Sequence, residues 1–182
     1  MKINDYVEEL NLSDGVSVSV DKRLVKVTGP KGEVQRALFS PGIMIEPSGN
    51  NVTIKVRKYT MREKKLVGTF RAHIKNMAKG VTEGCVYKLK ICSGHFPMNI
   101  SFGNGVLTIK NFIGEKIPRT ITIDPKVTLK LDGDIITLES VDKELVGQTA
   151  ANIEKKTKRP NFDRRIFQDG IYITEKDGKE IK

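Results

Sequence analysis

The sequence predicts an α+β protein made of two similar domains, each a small antiparallel sheet with one helix packed across it. Two observations predict this fold. The segment LVGTFRAHI at 66–74 recurs as LVGQTAANI at 145–153, with five identities at a constant displacement of 79 residues. Each copy also places several short strands before one helix, without the strand and helix alternation that a parallel sheet requires. An internal duplication of one α+β unit explains both observations.

The strands that precede each helix correspond between the copies. An alternating apolar strand, a turn and a Gly-Glu pair occur in LVKVTGPKGEV at 24–34 and again in VLTIKNFIGEK at 106–116. A further strand comes directly before each helix, as NVTIKV at 51–56 and DIITLE at 134–139. GPKGE at 29–33 is predicted to be a hairpin turn, because a phosphate-binding P-loop needs a following helix and a Lys-Ser/Thr pair.

Each predicted helix has a start signal and a single apolar stripe. Thr60 and Glu63 have the spacing of a capping box, and the second helix is predicted to begin near Asp142. Gly68 and Gly147 interrupt the helices at a cost of about 1 kcal/mol each relative to alanine. We interpret both glycines as points where helix and sheet approach closely. The residues predicted to be buried are Val67, Phe70, Ile74 and Met77 in the first helix and Leu145, Val146, Ala150 and Ile153 in the second.

The two copies meet in the glycine-containing segment KGVTEGCV at 79–86. We therefore predict an N-terminal domain at 1–81 and a C-terminal domain at 82–182. Domains of this length lie near the lower limit at which a chain buries its own core. The two units are expected to share a short connection.

The composition is strongly basic. Lys and Arg number 32 against 22 Asp and Glu, which gives a net charge of +10 and a pI of about 9.6. A positive surface field concentrates polyanions, so nucleic acid is the leading class of partner. The chain has no apolar run near the roughly 20 residues needed to cross a bilayer and no signal pattern. The sequence thus predicts a soluble, intracellular protein with no membrane partner.

Neither a metal site nor a catalytic constellation is predicted. Cys85 and Cys92 fall on opposite faces of one predicted strand, too far apart for a disulfide. There is no Cys-x-x-Cys pair to recruit His73 or His95 into a zinc site. The two histidines lie in different copies, and no nucleophile stands beside a base. We expect no cofactor and no enzymatic activity. The loop SGHFPMN at 93–99 is predicted to be exposed, either as an ordinary connection or as a loop whose His95 and Phe96 contact a partner.

Two basic clusters are candidate binding surfaces. From 57 to 79 there are eight basic residues and one acid, and this bias fits either a solvated helix face or a contact surface. The basic residues predicted for this helix surface are Arg62, Lys64, Lys65, Arg71 and Lys75. From 155 to 165 there are six basic residues and one acid, and Pro160 is predicted to end the helix and start a loop.

The second cluster continues into a segment that contains two aromatic residues. Asp169 and Gly170 are predicted to form a tight turn, followed by a short extended stretch at 171–173. Phe167 and Tyr172 could stack on exposed bases or pin the segment to the domain core, and the sequence leaves both alternatives open. Residues 174–182 are predicted to be mobile. The predicted RNA-binding set is Lys155, Lys156, Lys158, Arg159, Arg164, Arg165, Phe167 and Tyr172.

Four segments together resemble one known family. They are GVSVSVDKRLVKVTGPKGEV at 15–34, VGTFRAHIKNM, VGQTAANIE and, most specifically, DRRIFQDGIYI at 163–173. The chain resembles the large-subunit ribosomal protein six family, in its archaeal and eukaryotic branch, over nearly its whole length. The resemblance implies two duplicated α+β domains, no catalytic activity and a structural role in the large subunit of the cytoplasmic ribosome.

The resemblance also implies specific partners. It places the second domain and its basic tail on large-subunit ribosomal RNA near the sarcin-ricin loop. Translational GTPases dock in this region, and ribosomal proteins of the stalk base are neighbours. Gly170 would shape the turn that orients the basic residues. The chain departs from the family at Phe162, where a basic residue is common, so a stacking or packing contact could replace a phosphate contact there.

Three other classes of function remain as alternatives. A general RNA-binding protein would fit the basic clusters and would show no preference for one RNA. A protein-interaction scaffold would bind acidic partners through its strand edges or first helix, with nucleic acid incidental. An enzyme would require a site assembled from scattered residues, and substituting a histidine or carboxylate would abolish its turnover.

Overall fold

A computed structural model describes residues 6–13, 15–48, 51–57, 59–163 and 165–181. The chain divides into two compact units, Met1–Gly84 and Cys85–Lys182. The first helix continues through Thr82, so the segment predicted to connect the copies is helical in its first half. The domain bounds 1–81 and 82–182 remain predictions.

The described residues of the first unit form six strands followed by one helix. Its strands form two antiparallel sheets, in the orders β1-β6-β5 and β2-β3-β4. Pro30 and Lys31 connect β3 to β4, as the hairpin interpretation predicted. The elements are β1 (Tyr6–Asn11), β2 (Ser17–Asp21), β3 (Leu24–Gly29), β4 (Gly32–Ala37), β5 (Ile43–Ser48), β6 (Asn51–Val56) and α1 (Met61–Thr82).

The second unit repeats this order and then adds two strands. Its sheets have the orders β10-β9-β8 and β11-β12-β7-β13-β14, and all neighbouring strands are antiparallel. A 3₁₀ helix, Phe112–Gly114, replaces the tight turn of the first unit. The elements are β7 (Cys85–Cys92), β8 (Asn99–Gly103), β9 (Val106–Lys110), β10 (Arg119–Thr122), β11 (Thr128–Asp132), β12 (Ile135–Ser140), α2 (Lys143–Lys156), β13 (Gly170–Lys176) and β14 (Lys179–Glu180).

The duplicated α+β fold is confirmed. β1, β6 and β5 pair in the same order as β7, β12 and β11, and each helix follows the strand at the centre of that trio. Each unit divides its strands between two small sheets, where the sequence predicted one. The main difference between the copies is that β13 and β14 extend the sheet of the second unit beyond β7.

The predicted apolar stripes form the core. All four residues predicted for α1 are buried, and α1 packs against β3, where Val25 and Val27 are fully buried. In α2 three of the four are fully buried against β7, β12 and β13, while Leu145 is half-buried. Burying a Val, Leu or Ile side chain contributes about 1.5–3 kcal/mol, so these contacts fix each helix on its sheet.

Both helices begin where the sequence predicted. The Thr60 hydroxyl accepts from the Arg62 N–H at 3.3 Å, and the Asp142 carboxylate accepts from the Glu144 N–H at 2.9 Å. The Thr60 hydroxyl also donates to Glu63, and this hydrogen bond lowers the pKa of the Glu63 carboxyl. These contacts satisfy amide groups that the first turn of a helix leaves without a partner.

The prediction of a mobile C-terminal segment is wrong for residues 174–181. β13 continues to Lys176, and β14 pairs with it across a turn at Asp177 and Gly178. The Asp177 N–H donates to the Val86 carbonyl at 2.8 Å, which holds the turn against β7. Lys182 lies outside the described residues.

The two cysteines lie on one strand of the second unit. Cys85 is buried and Cys92 is half-buried, as expected for opposite faces of β7, and the two are not joined in a disulfide. Among the described residues no group of three metal-ligating side chains is present. No helix in the described part of the chain is long and apolar enough to span a bilayer.

The interpretation of Gly68 as a close contact between helix and sheet is wrong. Gly68 is exposed, and a Cβ atom added there would have no heavy atom within 4 Å. At Gly147 an added Cβ would lie 3.6 Å from the Tyr87 hydroxyl oxygen, an ordinary contact distance. The close approach occurs instead at the end of α1, because a Cβ on Gly29 would lie 2.6 Å from Cγ2 of Val81.

We therefore expect opposite effects from alanine at two glycines of the first unit. Gly68→Ala should raise the free energy of unfolding by about 0.5–1 kcal/mol, since alanine favours the helix and meets open space. Gly29→Ala should lower it by about 1–3 kcal/mol, because the new methyl group overlaps Val81. Urea unfolding of the full-length chain measures both. A destabilising Gly68→Ala would contradict the packing described here.

Candidate nucleic-acid interface

A cleft of about 250 Å³ in the second unit brings together most of the predicted RNA-binding residues. It lies between the end of α2, the following loop at 157–169 and the start of β13. Five of the seven predicted residues that the structure describes line it, and Asp169 contributes to the same surface. The lining residues are Ile113, Glu154, Lys155, Thr157, Lys158, Arg159, Phe162, Phe167, Asp169 and Tyr172.

The end of α2 positions the lysines of the cleft. The helix ends at Lys156, four residues before Pro160, so the proline lies within the loop and does not terminate the helix as predicted. Thr157 follows as a buried residue, and its hydroxyl donates to the Glu154 carbonyl at 3.1 Å. The same hydroxyl accepts from the Ile171 N–H at 3.0 Å. One side chain thus ties the end of α2 to the start of β13.

Aromatic rings and a guanidinium group form a continuous stack along the loop. The Arg159 guanidinium lies 4.3 Å from the centroid of the Phe162 ring. The Phe162 and Phe167 rings pack edge to face, with their centroids 5.0 Å apart. The centroids of the Phe167 and His95 rings are 5.3 Å apart. Phe162 therefore makes a packing contact and supports an arginine, while its ring remains 37% exposed.

The Asp169–Gly170 pair does not form the predicted tight turn. The turn lies earlier, where the Asp163 carbonyl accepts from the Ile166 and Phe167 N–H groups at 3.0 and 2.9 Å. Gly170 is instead the first residue of β13 and pairs with Cys92. A Cβ atom on Gly170 would lie 3.1 Å from the hydroxyl oxygen of Tyr172, so the glycine allows that ring to fold back over the strand.

Asp169 is a buried carboxylate that holds a distant loop. One carboxylate oxygen accepts from the N–H groups of Gly94 and His95 at 2.5 and 3.1 Å. The other lies 2.5 Å from Nδ1 of the His95 ring, which donates to it. Burial alone would raise the pKa of Asp169, but the hydrogen bonds from His95 and Gly94 outweigh it and lower the pKa. The group is therefore an anion at neutral pH.

Two described residues of the predicted RNA-binding set, Lys156 and Arg165, do not line the cleft. Lys156 is exposed in the last turn of α2, and its carbonyl accepts a hydrogen bond from Arg119. Arg165 lies on the outer surface of the loop with 89% of its side chain exposed. Its guanidinium pairs with Asp163 at 2.8 Å, and this hydrogen bond lowers the pKa of the Asp163 carboxyl. Arg164 lies outside the described residues.

Sequence reasoning missed the wall formed by Ile113. This residue has φ 48° and ψ 39°, a left-handed conformation that is a true outlier for a β-branched side chain. Cζ of the neighbouring Arg119 lies 4.3 Å from the centroid of the Phe112 ring. The Arg119 guanidinium also donates two hydrogen bonds to the Glu115 carboxylate, at 2.6 and 2.8 Å. Hydrogen bonding from Arg119 lowers the pKa of Glu115. The sequence did contain one signal for this wall: the connection between β9 and β10 is longer than the corresponding connection between β3 and β4.

The basic residues of α1 belong to the first unit and form a separate surface. All five predicted residues are exposed. Arg71 makes an ion pair with Glu8 at 2.7 Å. Arg62, Lys64, Lys65, Arg71 and Lys75 remain predicted contact residues.

The fold and the cleft define a class of protein: a basic, internally duplicated α+β protein whose second copy carries a cationic, aromatic-lined site. Residues 12–84 and 99–170 match the Ribosomal protein L6 family, and the chain belongs to that family. The two matched segments fall one in each structural unit, in agreement with the duplication.

Curated archaeal proteins are similar over nearly the whole chain. Large ribosomal subunit protein uL6 of Methanothrix thermoacetophila is 42% identical over 174 residues, covering 96% of this chain and 99% of the relative. The protein of the same name from Methanosarcina mazei has the same identity and coverage. That from Methanococcus vannielii is 45% identical over 174 residues and 96% of each chain. These matches confirm the predicted family, and the relatives are named as large-subunit ribosomal proteins and not as enzymes.

Proposed function

We propose that the chain is a constituent of the large ribosomal subunit and binds large-subunit ribosomal RNA through the cleft of the second unit. Family membership supports the ribosomal role, since the similar archaeal proteins carry the name of a large-subunit protein. The observation that carries the RNA-binding site is the cleft itself. It unites three cationic side chains with three aromatic rings, and these come from a helix end, a loop and a strand.

The proposed binding combines charge and shape. Lys155, Lys158 and Arg159 are exposed along the cleft and are suited to neutralise phosphates. Each neutralised phosphate releases counterions, so the affinity should fall steeply as salt rises. Arg165 extends the same positive surface outside the cleft. Aromatic faces and arginine planes add contacts to unpaired bases, which is how proteins obtain specificity for folded RNA.

The finer location follows from the family resemblance. We place the site near the sarcin-ricin loop and the GTPase-associated region of the large subunit. Ribosomal proteins of the stalk base would be neighbours, and translational GTPases would dock nearby. The exposed basic residues of α1 would provide a secondary contact with RNA or with a neighbouring protein. The protein would act in the cytoplasmic ribosome.

Affinity for two RNAs tests this proposal. One is a large-subunit ribosomal RNA fragment that contains the sarcin-ricin region, and the other is an unrelated folded RNA of equal length. At about 150 mM salt, charges more than roughly 8 Å apart are screened. We expect the full-length chain to prefer the ribosomal fragment by about 100-fold, equivalent to about 2.7 kcal/mol. Equal affinities would favour a general RNA-binding protein instead.

A charge substitution at the cleft should change the salt dependence of binding. Lys158→Gln removes a cation from the cleft surface, so affinity for the ribosomal fragment should fall about 5-fold and the salt slope should decrease by about 1. Lys130→Gln makes the same charge change on β11, where Lys130 is exposed and pairs with Glu139 at 3.2 Å. The control should keep the wild-type slope. Identical slopes for both variants would place the contact elsewhere.

A further inference from the structure

We propose that the cleft of the second unit holds a single unpaired nucleotide of RNA. Its base enters the cleft against the aromatic side chains, and its phosphate stays outside at Lys155 and Lys158. This inference rests on the proposed RNA-binding function and specifies which part of the RNA the site recognises.

The size and shape of the cleft favour one base. Its volume of about 250 Å³ lies below the roughly 300 Å³ at which pockets for drug-sized ligands begin. A duplex cannot enter such a space, whereas one planar ring system can. RNA-binding proteins commonly recognise bases that are splayed out of loops and bulges and stacked on aromatic rings or arginine planes. An unpaired nucleotide therefore matches the space available.

The walls provide stacking surfaces. Arg159 and Phe162 form one wall of the cleft, with Cζ of the guanidinium 4.3 Å from the centroid of the ring. Phe167 and Tyr172 line the same cleft and are half-buried, so each presents only part of its ring. Stacking of a base on an aromatic side chain is tolerant of sequence because every base has a π face. The cleft thus fits a base of any identity better than it fits an aliphatic ligand.

Charge sets the orientation of the nucleotide. Asp169 is buried in the lining of the cleft, and its hydrogen bonds to Gly94 and His95 keep it anionic. A phosphate placed beside this carboxylate would be repelled. The exposed lysines at positions 155 and 158 attract a phosphate at the outer edge. The arrangement therefore draws the base inward and keeps the phosphate at the surface.

The cleft is already formed in the free protein. Asp169 holds the loop that contains His95, and Thr157 ties the end of α2 to β13. Gly170 has no side chain, which leaves room for the Tyr172 ring. Ile113 holds a strained backbone conformation at the same surface, and such strain clusters at ligand-binding positions. A preformed site avoids the entropy cost of ordering side chains when the nucleotide binds.

Leucine substitutions at two equally exposed phenylalanines test the inference. Phe162 and Phe102 are each 37% exposed in the second unit, and Phe102 lies on β8 and does not line the cleft. Affinities of the full-length wild type, Phe162→Leu and Phe102→Leu are measured for the ribosomal RNA fragment between about 50 and 200 mM salt. Chemical probing of base reactivity is carried out on each saturated complex. Thermal unfolding confirms that each variant is folded.

We expect Phe162→Leu to bind about 10-fold more weakly than the wild type, since stacking on one aromatic ring contributes on that order. Its salt slope should be unchanged, because no phosphate contact is lost. One unpaired base should be protected by the wild type and by Phe102→Leu, and should become reactive again in the Phe162→Leu complex. Equal affinities and equal protection in all three complexes would overturn the inference and leave the proposed function standing.

Other outcomes separate the two proposals. A weaker Phe162→Leu complex with a reduced salt slope and no protected base would mean that the cleft contacts phosphate alone, which also overturns the inference. If the wild type shows no preference for the ribosomal fragment, the proposed function fails. The same three proteins are then compared on the unrelated RNA. A 10-fold loss confined to Phe162→Leu would support the nucleotide site there, and equal binding would overturn it.

Discussion

The cleft of the second unit depends on the hydrogen bonds that the buried carboxylate of Asp169 accepts. It joins the start of β13 to the loop after β7 through three hydrogen bonds, two from backbone N–H groups and one from the His95 ring. A buried carboxylate is costly unless hydrogen bonds compensate for lost water, and here the donors converge on it. Phe167 lies against the same His95 ring, so the aromatic stack of the cleft is aligned by this one ionic group.

The second unit carries this cleft because it extends beyond the part that the two copies share. Both units have the same order of strands and one helix, and in the described residues the second unit also continues into β13 and β14 beyond β7. Adding a strand to that sheet edge places the loop at 157–169 beside the end of α2. The longer connection after β9 supplies Ile113 from the other side. The shared order of strands and helix thus gained local additions that form the cleft, and one of them, β13, also contributes Ile171 to the core.

Local patterns in the sequence predicted the parts of the fold that depend on neighbouring residues. The repeat, the caps at Thr60 and Asp142 and the buried stripes follow from spacing within one element, and the structure confirms them. The partners of Asp169 could not be read from the sequence, because Gly94 and His95 are 74 or more residues away and meet it only through the register of β13 on β7. Gly68 was misinterpreted because the helix-propensity cost of a glycine does not indicate a buried position, and the apolar stripe of α1 leaves position 68 on the exposed face.

The most direct test of this account is the affinity of Asp169→Asn for the ribosomal RNA fragment. The substitution removes a negative charge, so attraction between the protein's net charge and RNA would by itself strengthen binding. We expect instead that the affinity of Asp169→Asn falls about 10-fold. The loop that contains His95 and the aromatic rings would lose the carboxylate that holds them, so the cleft would no longer be preformed. Unchanged or tighter binding by a folded Asp169→Asn protein would contradict it.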